Sequence, residues 1–133
     1  MLRTAVVSAA ALILSFICAA AVTADVTITS PPDKAEVFRT PTVRGTSTTN
    51  QPIWVVVHPT NVPEFYVQPP VKRSGKNQWL TTIYIGRSGK IDVGKYFEIM
   101  AVENPEGNLR EGQILGGWPA GAAYSDIVTV RRK

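Results

Sequence analysis

The sequence predicts an all-β domain of seven to eight antiparallel strands packed in two layers and preceded by an export leader. Three observations carry this. Short segments rich in Val, Ile, Thr and aromatic residues recur beyond residue 25, separated by Pro, Gly, Asn and Asp, which is how strands joined by turns read. Outside the N-terminus no stretch keeps a helical period of apolar residues. About 109 residues follow the leader, the size of one domain, and about 65% of the unfolded surface of such a chain can be buried in a single core.

The leader is residues 1–24. Arg3 supplies a positive start, residues 5–21 form an apolar run, and Val22-Thr23-Ala24 ends it in small residues, so cleavage is expected before Asp25. A retained anchor is the competing reading, because a spanning helix needs about 20 apolar residues. The small-residue end favours removal, which leaves residues 25–133 as the domain, with no membrane span. Lipid attachment at Cys18 would want a small residue before it, and Ile17 is bulky. Cys18 is the single cysteine, so the mature domain is disulfide-free even though a secreted or periplasmic location permits disulfides.

The strands follow in order. Residues 26–29 alternate Val26 and Ile28 with threonines, and Ser30-Pro31-Pro32-Asp33 stops them because proline cannot donate to a ladder. A short edge piece is expected at 36–38, then strands at 42–47 and 53–58, the second an almost continuous apolar run. Residues 64–71 are interrupted by Pro69 and Pro70 and read as an edge strand. Residues 72–76, Lys-Arg-Ser-Gly-Lys, read as a polar turn. Strands at 79–85 and 95–103 flank a segment, 86–94, with three glycines for positive-φ positions. The last strand is 126–131.

Two stretches carry a family likeness. Pro31-Pro32-Asp33-Lys34-x-x-Val37 with Thr40-Pro41-x-Val43-x-Gly45-Thr46 resembles the opening of bacterial immunoglobulin-like and fibronectin-III-like secreted modules. Trp79-x-x-x-Ile83-x-Ile85 and Gly94-x-x-Phe97-x-Ile99-x-Ala101 extend the likeness over most of the domain. It implies an Ig-like β-sandwich with an interaction role and carries no functional residues. Lys34-Ala35 stands where the opening turn of such modules often has glycine, so this turn is expected to differ.

Period-two alternation assigns faces. Val26, Ile28, Val43, Trp54, Val56, Trp79, Ile83, Ile85, Phe97, Ile99, Ala101, Val128 and Val130 are expected inward. Ile53, Val55, Val57, Tyr96, Met100, Val102 and Ile127 then face outward, and so apolar an outer face needs a cover. The cover is the long segment 104–125, a second copy of the chain, or another protein. The leading expectation is therefore a protein-binding or assembly surface built from Val55, Val57, Tyr96 and Met100, with Trp118 at its rim. The alternative is a carbohydrate- or cell-wall-binding site made by the aromatic faces of Phe65, Tyr66, Tyr84, Trp118 and Tyr124, with Asn61 and Gln68 as hydrogen-bonding groups.

Chemistry finds little support. His58 is the only histidine, so with no mature cysteine a structural zinc site lacks ligands, and no Gly-x-Ser-x-Gly turn offers it a serine. Glu98 and Glu103 have opposite parity and face different ways. Glu103, Glu106, Glu111 and Asp126 are expected as a solvated acidic rim, without the spacing of a calcium loop. No glycine-rich phosphate loop occurs. The chain carries 14 Lys and Arg against 10 Asp and Glu, one of the cations being Arg3 of the leader, an excess too small for nucleic acid. The expectation is a binding protein, not an enzyme, with no metal and no cofactor.

Overall fold

The computed structural model describes residues 25–133, so the expected leader and Cys18 lie outside the described residues. The strands are β1 (Val26–Ser30), β2 (Ala35–Val37), β3 (Thr42–Ser47), β4 (Ile53–Pro59), β5 (Phe65–Val67), β6 (Lys72–Gly75), β7 (Gln78–Thr82), β8 (Tyr96–Pro105), β9 (Ile114–Leu115), β10 (Gly121–Tyr124) and β11 (Val128–Arg132). They form two sheets, and no helix is present among the described residues. One sheet has the order β1-β3-β7-β6; the other runs β2-β11-β8-β4-β5-β9, with β10 beside β8. Every pairing is antiparallel except β2 with β11. Among the described residues no helix is long and apolar enough to cross a membrane.

The prolines after β1 end its ladder, and the chain crosses to the far edge of the second sheet as β2. At this turn Lys34 takes a φ of 70°, the left-handed region that a glycine would enter without steric cost. Its N–H donates to the Thr129 carbonyl at 2.6 Å. β10 and β11 follow one another along the same edge of β8, and the register slips by one residue between Tyr124↔Val102 and Val128↔Ile99. Such a bulge leaves backbone groups without ladder partners. Ser125 supplies them: its Oγ accepts from the Ala101 N–H and donates to the Asp126 carbonyl, both at 2.9 Å.

Between the sheets lie Val26, Val43 and Trp79 from the first and Ile53, Val55, Val57, Phe97, Ile99, Ala101, Val128 and Val130 from the second. Full burial of each large side chain contributes about 1.5–3 kcal/mol. Trp79 lies across Gly45, its partner on β3, and its Nε1 donates to the Thr46 carbonyl at 3.1 Å. Beyond β7 the chain stays extended, with Ile83 and Ile85 fully buried and their N–H groups donated to Pro41 and Arg39.

The faces of β4 are the reverse of the expectation. Val55 pairs with Ala101 and Val57 with Ile99, and directly opposed residues share a face, so the inward residues of β8 draw Ile53, Val55 and Val57 inward. Trp54 and Val56 take the other side, opposite Val102 and Met100. Residues 72–76 also depart from the expected turn: Lys72–Gly75 is strand β6, wholly exposed and paired with β7. Its charges suit a sheet edge, where they discourage further pairing, and the turn itself narrows to Lys76-Asn77.

The outer face of β4 and β8 is covered. Val56 and Val102 are fully buried and Met100 nearly so. After β8 the chain leaves Pro105, pairs β9 with β5 at Phe65 and Tyr66, and returns to pair Gly121 with Pro105. Phe65 neighbours the His58 end of β4 and Pro105 the Ile53 end, so the segment traverses the length of the sheet twice. Trp118 docks edge-on against Phe65 at 4.8 Å between ring centroids. Of the three covers expected, the chain's own long segment is the one observed packing here.

Candidate functional site

At the end of the sandwich marked by Pro59 and Phe97 the sheets part and leave a cleft of about 530 Å³. The first described residue lies at the opposite end, where the Asp25 N–H donates to Thr48. Val57 and Phe97, each 2% exposed, form the apolar floor of the cleft. Tyr66 pairs with Val57 and therefore shares its inward face, which brings one wall from β5. The other wall is Tyr84, from the extended chain after β7.

Gln68 ties the two walls together. It is buried, and its Oε1 accepts from the Tyr84 N–H at 2.8 Å while its Nε2 donates to the Tyr66 carbonyl at 3.1 Å. A buried amide is costly unless satisfied, and here both ends are used. On Tyr84 the Arg39 guanidinium stands 5.1 Å from the ring centroid, within cation–π range.

The rim on the Tyr84 side is residues 86–95. Asp92 is buried, and its Oδ2 accepts from the backbone N–H and Nε of Arg87 at 2.7 and 3.1 Å. Its Oδ1 accepts from Arg87 Nη2 at 3.0 Å and Lys95 Nζ at 2.9 Å. The Arg87 guanidinium, seconded by its backbone N–H, holds the Asp92 carboxyl well below the usual carboxylate range, and Asp92 in turn raises Arg87. Gly86 makes this loop possible: its φ is +83°, and a Cβ there would sit 2.8 Å from Asp92 Cβ. Arg132, also buried, pins the loop by donating to the carbonyls of Ile85, Arg87 and Gly89 at 2.8, 3.0 and 2.8 Å. Cations are thus held in place at the mouth of an apolar cleft before any ligand arrives.

The residues singled out from sequence are divided among several places. Val55, Val57 and Met100 are buried, while Tyr96 is 52% exposed, so these four and Trp118 share no single surface. Of the aromatic set, Tyr66 and Tyr84 meet in the cleft beside Asn61 and Gln68. Phe65 and Trp118 form a separate cluster with His58, whose ring stacks on Phe65 at 3.9 Å. Tyr124 stands apart on β10, its hydroxyl accepting from the Gly121 N–H at 2.9 Å. His58 is held by Glu98 Oε1 at 2.9 Å and the Val62 carbonyl at 2.8 Å.

The carboxylates do not gather. Glu98 and Glu103 face different ways, as their parity requires, and Glu103 is fully buried, accepting from Ser47 Oγ at 2.8 Å and from Thr49 Oγ1. Glu106, Glu111 and Asp126 are exposed. Among the described residues no three His, Cys, Asp or Glu side chains form a metal-sized group. Sequence reasoning missed Arg87, Asp92, Lys95 and Arg132. The available clue was a carboxylate between two cations inside a glycine-punctuated loop. No protein-family model matches the chain, and no curated protein is similar to it.

Proposed function

We propose that the chain is an exported, non-catalytic binding module of the Ig-like class that takes a partner protein at the end cleft. The strand order supports the Ig-like part: β1-β3-β7-β6 facing β11-β8-β4 is the order A-B-E-D facing G-F-C of that sandwich. It departs from the antibody pattern in its core indole, which is Trp79 of the fifth position (E) and not a residue of strand C, and in having no cysteine pair. The export part rests on the leader pattern of residues 1–24.

The observation that carries the binding role is the cleft itself: a preformed concavity with an apolar floor, two tyrosine walls and a few fixed polar groups, as recognition sites are built. The β4–β8 face is already occupied by the chain's own Trp118 segment and serves less well. Affinity capture with the processed protein tests the reading. A partner retained by wild type and Tyr124→Ala but lost with Gln68→Ala and Tyr84→Ala is expected. Retention by all four proteins would contradict it. Carbohydrate is the second reading, favoured by Tyr66, Tyr84 and Asn61 lining one cleft. Binding to insoluble polysaccharide or peptidoglycan that falls with Tyr66→Ala would select it.

A further inference from the structure

We infer that the cleft takes an apolar, aromatic-sized group bearing a carboxylate, an inference that rests on the cleft being the binding site. The interior asks for apolar matter. Its buried polar groups are already committed, Gln68 through both ends of its amide and Asp92 through four accepted hydrogen bonds. A ligand hydroxyl placed against the floor of Val57 and Phe97 would trade water for no partner, which is costly. An aromatic or aliphatic group there packs on Pro59, Val62 and the rings of Tyr66 and Tyr84 above that floor.

The mouth asks for an anion. Arg87 and Lys95 share the single carboxylate of Asp92, so cation exceeds anion at this lip, and Arg39 adds a further positive charge behind Tyr84. The bonds to Asp92 use the backbone N–H, Nε and Nη2 of Arg87 and one hydrogen of Lys95 Nζ. Nη1 of Arg87 and the remaining ammonium hydrogens are left to receive a ligand, on side chains 66% and 36% exposed. Glu111 stands at the β5 lip, where Gly112 bonds Val67. It repels an anion from that side, so the carboxylate is directed to Arg87 and Lys95 and the apolar part to the floor. A free carboxylic acid and the C-terminal residue of a peptide both present this chemistry.

Four probes separate the possibilities: 3-phenylpropionate, 3-phenylpropanamide, and acetyl-Gly-Gly-Phe with a free or an amidated C-terminus. Each is titrated at pH 7 into the labelled processed protein, following the backbone amides of Tyr84, Gly86 and Gly112. Hydrogen bonds to charged groups are worth enough to give at least about a tenfold preference for each acid over its amide. Arg87→Gln and Lys95→Gln should each erase that preference by weakening binding of the acids, with thermal unfolding checked for both. Lys95→Gln disturbs the loop less and stands if Arg87→Gln fails to fold. Tighter binding of the peptide acid than of phenylpropionate would assign the peptide source, and the reverse the free acid. Equal affinity of acid and amide overturns the charge inference while the cleft remains the binding site. Absence of shifts with all four probes overturns both.

Discussion

Gly45→Ala is a one-methyl change that reaches the centre of the sandwich. A Cβ at this position would fall inside 3.0 Å of the Thr27 carbonyl oxygen and of two ring carbons of Trp79, where unbonded carbons settle at about 3.5–4.0 Å. Neither neighbour can yield cheaply. The oxygen belongs to the β1–β3 ladder, and the indole is 1% exposed and tethered by its bond to Thr46. Overpacking a core costs about 1–3 kcal/mol; a ring driven out of register also gives up a hydrogen bond worth about 1 kcal/mol. The expected loss is therefore about 2–4 kcal/mol, a large part of the roughly 5–15 kcal/mol that holds a domain together. Urea unfolding of the processed protein, followed by circular dichroism, should show the midpoint falling by about 1–2 M with an unchanged slope. Trp79→Leu makes room for the methyl, so Gly45→Ala should cost less in that background, with a coupling of about 1–2 kcal/mol. A loss under about 0.5 kcal/mol, or no coupling in the cycle, would refute the close approach of ring and glycine.

Further outcomes follow from the loops. The folded Asp92 carboxyl is held below its ordinary value near 4, so its stabilising contribution is complete above that value and is lost as pH falls from there through the folded value. The melting-temperature gap between wild type and Asp92→Asn should accordingly be widest at neutral pH and narrow towards pH 3; a pH-independent gap would contradict this. Arg132→Met removes donors from three carbonyls and should cost about 2–4 kcal/mol, with trypsin cutting at Lys90 far sooner than in wild type. Trp118→Ala uncovers Phe65 and His58 and should raise binding of an apolar dye with a loss of about 1–3 kcal/mol. Unchanged dye binding would place the cover of the outer face elsewhere.

Sequence revealed what local alternation encodes and little of what distant strands decide. Residues 42–47 set Thr42, Arg44 and Thr46 against Val43, Gly45 and Ser47, and both the span of β3 and the inward Val43 came out as expected. Ile53-Trp54-Val55-Val56-Val57 has no polar residue to mark a face, so only pairing with β8 orients it. β6 was invisible because a solvated edge strand needs no apolar residue. β9 and β10 are short strands of a long excursion, specified by the sheet edges they meet. The cleft is harder still to read. Val57, Tyr66, Tyr84 and Phe97 come from four separate strands or extensions, and their meeting depends on register across both sheets. Tyr66, Tyr84, Asn61 and Gln68 were recognised as types suited to binding, but the reason they work together is the Gln68 amide, which spans the two walls.

The most direct test is photo-crosslinking of the processed protein to whatever it binds, with the photoreactive residue placed at Tyr84 in one variant and at Trp118 in another. Attachment of one partner from position 84, suppressed by Gln68→Ala, is the outcome expected if recognition happens at the cleft. Attachment from position 118 and none from 84 would contradict it and return the binding surface to the outer face of β4 and β8.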